Sequence, residues 1–176
     1  MAIPVSLVDA RRQLRMEPDD DSRDEELSGF IADAAAWVEN YTGHILAARE
    51  VTETFDGLGA IQLRSWPVKP ETPVAVSYLG AAGAVPVPGA RLFVQGRPAR
   101  VYPALGTGWP VLHHRVPSTV TFRAGYEDGD EVPRNCRRAM LVLIGAYDED
   151  REGGDVLAKA ENAARSLCRS LKAHHL

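Results

Sequence analysis

The stretch DEELSGFIADAAAWVENYTG, residues 24–43, decides how the chain is divided. Leu27, Phe30, Ile31, Ala34, Trp37, Val38 and Tyr41 recur at intervals of three and four. That spacing puts them on one stripe of an α-helix. Gly43 stands where the left-handed residue that ends a helix is needed. Beyond it the period changes: β-branched and aromatic residues alternate with polar ones, and Pro and Gly cluster between the runs, which predicts strands and turns. Candidate strands are 50–55, 60–63, 74–79, 91–94, 100–102 and 119–123.

Upstream of that helix, Ser6 and Asp9 form a capping-box pair, and Leu7, Ala10 and Leu14 predict a first helix to about Met16. The break EPDDDS follows, and its Asp19, Asp20 and Asp21 are expected to cap the second helix, whose N-terminal end favours carboxylates. Downstream of the strands, Pro133 opens a third helix at a position where its missing N–H costs nothing. Residues 139–146 are apolar on nearly every side, as in a helix buried all round. After Gly153 and Gly154, a fourth helix over 156–171 carries Leu157, Ala160, Ala164, Leu167, Cys168 and Leu171 on one face.

The expected class is therefore α+β: a four-helix core of two N-terminal and two C-terminal helices, with an inserted, mostly antiparallel β-region. The helical core covers 1–46 and 127–176 and the β-region 47–126. Helices at both ends of a chain that each need an apolar partner should pack together, with the strands as a second layer.

A chain of 176 residues buries roughly 70% of its unfolded surface on folding, enough for a core without metals or disulfides. With 45% apolar and 25% charged residues, disorder is excluded. A formal charge of −4 argues against a general nucleic-acid coat, which needs an excess of cations to displace counterions. Cys136 and Cys168 lack C-x-x-C spacing and fall on apolar helix positions, so they read as reduced core residues. The start MAIPVSLVDARRQ has no basic n-region and too short an apolar run for a signal peptide. No stretch approaches the roughly 20 apolar residues of a membrane span. The protein is expected to be made in a cytoplasm and used there or assembled there into something larger.

Chemical motifs are weak. DEDREG, 148–153, imitates the first half of a calcium-binding loop, but its twelfth position is Lys159 where a bidentate Glu is required. Asp128, Asp130 and Glu131 surround a turn-forming Asp-Gly directly before Pro133 and read as turn and cap for the third helix rather than as a catalytic pair. His44, His113–His114 and His174–His175 lack metal-ligand spacing and read as surface or terminal residues. The segment GAAGAVPVPG, 80–89, precedes a strand, cannot offer a phosphate-cradling helix end, and reads as a loop or hairpin tip. No catalytic, cofactor or metal residue is assigned. A charge asymmetry survives: residues 17–26 hold seven acids and one Arg, while Lys159, Arg165, Arg169 and Lys172 oppose the single acid Glu161. These two sets suit complementary surfaces on neighbouring subunits, and equally suit solvated helix faces.

The order of the short motifs resembles the head-tail connector (adaptor) family of tailed double-stranded DNA bacteriophages and gene-transfer particles. The residues that carry the likeness are L-x-D-A-R-x-x-L-R-M at 7–16, D-E-E-L-x-x-F-I-x-x-A at 24–34, V-E-N-Y-T-G at 38–43 and L-R-S-W-P-V at 63–68. They continue with W-P at 109–110, F-R-A-G-Y followed by V-P within 122–133, and A-Y-D-E-D-R-E at 146–152. Asp150 departs from the family pattern, which has Asn or His before Arg-Glu. The resemblance implies a non-enzymatic virion protein without cofactors. Its copies would form a ring, a dodecamer, under the portal protein, retaining packaged DNA and receiving a stopper or tail-completion protein on the opposite face. DNA would pass through without sequence-specific binding, and no membrane would be involved. The C-terminal segment, with Arg165, Arg169, Lys172, His174, His175 and Leu176, would meet the portal. The alternatives are a stopper or tail-completion protein of the same neck, which the helices at both ends disfavour, and a small metal-dependent hydrolase using the acids at 128–131 and 148–152.

Overall fold

The computed structural model describes residues 4–112, 116–150 and 152–172. Over the described residues the fold is α+β, with four α-helices and antiparallel sheets in two compact units. One unit takes the chain up to residue 47 and again from 126; the other takes residues 48–125.

The helical unit contains α1 (Leu7–Gln13), α2 (Asp24–Thr42), α3 (Arg134–Glu149) and α4 (Asp155–Cys168). In α1 the capping box is complete: the Ser6 hydroxyl accepts the Asp9 amide at 3.2 Å, and Asp9 accepts the Ser6 amide at 3.0 Å. The helix ends at Gln13, short of Met16, because the chain turns through Arg15 in the left-handed region at φ 58°. Gly43, at φ 72°, ends α2 with its amide on the Glu39 carbonyl, a backbone conformation glycine adopts without strain.

At the other end of α2 the expected cap is not found. Asp20 instead accepts the amide and hydroxyl of Ser22, closing a local turn, and Arg23 occupies the cap position, where its side chain makes no capping bond to the helix backbone. Asp24, Glu25 and Glu26, inside the first turn, supply the negative charge that the helix dipole favours.

Ile31, Ala34 and Val38 of α2 meet Cys136, Ala139, Met140, Leu143 and Ile144 of α3, and Ala164 and Cys168 of α4 join the same core. Ala10, Ala34, Ala139 and Ala164 are completely buried; side chains this small let helices approach closely. Burial of α3 is one-sided, since Leu141 and Val142 stay partly exposed. The period of its fully buried positions is helical, and the extra apolar residues widen the stripe without enclosing the helix. Cys136 and Cys168 are both buried and stand as thiols rather than as a disulfide. No helix among the described residues is long and apolar enough to cross a membrane.

In the second unit, β1 (Arg49–Asp56), β7 (Pro117–Ala124), β3 (Val74–Gly80) and β4 (Gly83–Val87) form an antiparallel sheet in the order β1-β7-β3-β4. The strands β2 (Ile61–Leu63), β6 (Ala99–Tyr102) and β5 (Arg91–Phe93) form a second sheet in the order β2-β6-β5. Phe122 lies opposite Val51 on one side and Val74 on the other, so the most buried aromatic of the unit sits on a central strand. The segment expected to be a loop or hairpin tip, 80–89, turns as a hairpin at Gly80–Gly83 and continues as β4, which pairs with β3 from Gly80↔Gly83 to Val76↔Val87. Pro86 faces Ser77 in that ladder. A proline without an N–H is tolerated there because β4 is an edge strand.

Among the described residues of this unit, Glu53 is the buried charge. At 8% exposure, its carboxylate accepts the amides of Arg64 (3.0 Å) and Ser65 (2.8 Å), holding the end of β2 against β1.

Candidate functional site

The acids before α3 form a turn. Asp128 accepts the Asp130 amide at 3.1 Å and caps a 3-10 turn over Gly129–Glu131. Pro133 then takes the cap position of α3, whose first turn holds no acid. The sequence pattern implies both a turn and a helix cap; Asp128 closes the turn, while the cap position of α3 falls to Pro133 without a side-chain bond.

The acids after α3 are also engaged. Asp148 forms an ion pair with Arg23. Asp150 reaches across Gly153 and Gly154 to accept the Leu157 amide at 3.2 Å, a cap for α4 supplied from outside the helix. Bonds from the Gly154 and Leu157 amides hold the Asp150 carboxyl below its ordinary value. A general acid needs a shift in the opposite direction. Among the described residues, no three His, Cys, Asp or Glu side chains are grouped so as to hold a metal ion.

His44 is not a surface residue. It is 4% exposed, its Nδ1 lies 2.7 Å from the Tyr126 hydroxyl, and the two rings stack at 5.9 Å. His113 and His114 lie outside the described residues, as do His174, His175 and Leu176.

The remaining residues expected at an interface come together on one surface. Arg165 pairs with Glu161 at 2.7 Å and stands 5.8 Å over the Trp37 ring; Lys172 stands 5.3 Å over the Tyr41 ring. Trp37 and Tyr41 stack on each other at 5.4 Å. Arg169 is exposed between the two cations in sequence. An aromatic face holds Lys172 in place without neutralising it, so Lys172 and the exposed Arg169, rather than the Glu161-paired Arg165, present positive charge at this end of the helical unit. Trp37 and Tyr41 had been legible only as core positions. Their i, i+4 spacing opposite cations seven residues apart, Arg165 and Lys172, is the signal that marks them as platforms.

Nearer the start of α4 lies a cleft of about 410 Å³, lined by Glu26, Phe30, Asp33, Tyr147, Glu152 and Leu157 among others. Phe30 and Tyr147 meet with ring centres 5.9 Å apart. Burial, then the Asp33 and Glu161 carboxylates, push the Tyr147 phenol above its ordinary pKa. The cleft is thus apolar in its walls and negative at its rim.

No protein-family model and no curated protein sequence matches the chain. Solved structures do. A chain in the neck of an empty gene transfer agent (GTA) particle, computed with C6 symmetry, superposes with a TM-score of 0.77 at 23% identity, over 100% of this chain and 94% of that one. A chain of the native GTA virion gives 0.75 at 24% identity over the same shares. One from the native GTA neck computed with C12 symmetry gives 0.69 at 23% identity, over 98% and 94%. The chain therefore has, over its whole length, the fold of proteins found in gene transfer agent necks and virions.

Proposed function

We propose that the chain is a structural neck protein of a phage-like particle, a connector whose copies form a ring of twelve beneath the portal protein. The observation that carries this reading is the end-to-end coincidence with chains of a GTA neck. Both units are matched, so the likeness is not that of a common helical bundle alone. The C12 symmetry of one of those necks supports twelve copies. A four-helix unit favours the connector over a stopper or tail-completion protein, which instead would dock on the ring's far face. The helical core and the inserted β-region act as the two working parts.

The work of such a protein is geometric, without catalysis or cofactor. The ring extends the DNA channel, and a net charge of −4 suits a conduit through which phosphate must pass without sticking. The protein is made in the host cytoplasm and resides in the virion, with the tail segment beyond Lys172 reaching the portal.

The deciding experiment mixes the purified chain with the portal ring of its own particle and images the product. Rings seated on the portal, and the chain present in mature particles, support the connector. Seating on the tail-proximal face of a separate ring supports the stopper. Absence from particles overturns both.

A further inference from the structure

We infer that neighbouring copies join head to tail, with Arg169 and Lys172 at the end of α4 of one copy entering the acidic cleft beside α2 of the next. This rests on the ring assembly proposed above and names the surfaces that make it.

The cleft has the chemistry of a socket for long cationic side chains. Phe30, Tyr147 and Leu157 offer apolar walls for their aliphatic stems. The Asp33 and Glu152 carboxylates carry no ion pair among the described residues. Aromatic faces add attraction for a cation that comes over them.

The matching knob is on the same chain but out of reach. Arg169 has no carboxylate partner among the described residues, and Lys172 rests on Tyr41 with its charge intact. Leu157 lines the cleft, and Arg169 follows twelve residues later. At 1.5 Å per helical residue the separation is roughly 18 Å, longer than any side chain. One copy therefore carries a donor and an acceptor it cannot join itself. Pairing the two between copies gives a heterologous contact, the type that closes into a ring when its rotation divides the circle. Phosphate is the poorer occupant of the cationic end once that end lies in a cleft ringed by carboxylates.

The test uses charge reversal with rescue, read by native mass spectrometry of the full chain, alone and with the portal ring. Arg169→Glu with Lys172→Glu, and separately Asp33→Lys with Glu152→Lys, should each weaken copy-to-copy assembly about tenfold or more, while circular dichroism stays that of the parent. An equimolar mixture of the two variants, in which every knob again meets a socket of opposite sign, should restore the ring. So should the chain carrying all four substitutions. Rings indifferent to both reversals overturn the pairing and leave the connector reading standing. Folded variants that the mixture fails to rescue do the same. Rings that persist while Arg169→Glu with Lys172→Glu loses portal or DNA binding assign the face to that partner instead. A parent chain that forms no ring in either setting overturns the connector reading itself.

Discussion

Asp150 shows how a single carboxylate can organise an element it does not belong to. Its bond to the Leu157 amide replaces the missing cap of α4, and the glycines behind it leave the carboxylate room. A Cβ on Gly154 would come within 3.1 Å of the Asp150 carboxylate, and Gly153 is at φ 80°. Because those amide bonds hold the carboxyl below its ordinary value near 3.8, the unfolded chain takes up the proton first as pH falls. The stabilisation is complete above about pH 4 and is lost as pH drops through the lowered folded value. An NMR titration should place the Asp150 midpoint below 3.8, and Asp150→Asn should flatten the acid limb of the stability curve. Asp9 behaves alike. Burial raises its pKa, but the bonds from Ser6 and the Arg137 guanidinium outweigh it and the net shift is downward. In the β-unit, Glu53→Ala would strip the acceptor from the Arg64 and Ser65 amides. We expect a loss of about 1–3 kcal/mol, measured by urea unfolding at constant m-value.

At the scale of elements, α3, like α2, touches each of the other helices. Leu143 is completely buried there, so Leu143→Ala should cost about 2–5 kcal/mol in the same urea measurement. Substitution of the exposed Arg138 on the same helix should change stability by less than about 0.5 kcal/mol. The helices were readable because their apolar periods are long and unbroken, and their ends are marked by Ser6, Gly43 and Pro133. β4 was not, because Pro86 within it, Pro88 just beyond it and a short apolar run look like a loop or a hairpin tip unless one knows that the strand lies at an edge. The early end of α1 was missed for a related reason: Leu14 continues the helical period, and nothing in the residue type of Arg15 announces a left-handed turn.

At the scale of the whole molecule, the C-terminal segment up to Leu171 belongs to the helical core. Ala164 and Cys168 are buried in the core, and Leu167 and Leu171 pack against it. Deleting residues 165–176 should therefore destabilise the helical unit by more than about 2 kcal/mol. Deleting 173–176 removes no described core residue and should leave the thermal midpoint unchanged, so only the shorter truncation tests docking cleanly. Assembly through opposite charges also predicts salt sensitivity. Raising salt from about 0.1 M to about 1 M shortens the screening length from about 10 Å to about 3 Å. Light scattering should then show the copy-to-copy contact weakening, with circular dichroism unchanged.

Local periodicity already implied four helices flanking a β-rich middle, because burying one face of a helix or strand imprints its period on the residues that form it. Charge counting likewise showed an acidic stretch at 17–26 and a basic one after Lys159. Neither revealed what those charges face. That Asp128, Asp148 and Asp150 are spent on turns, ion pairs and caps, that Trp37 and Tyr41 carry cations, and that Asp33 and Glu152 share a cleft all follow from contacts between residues distant in the chain. Such contacts depend on how α2, α3 and α4 pack, a matter of three-dimensional distance on which sequence spacing is silent.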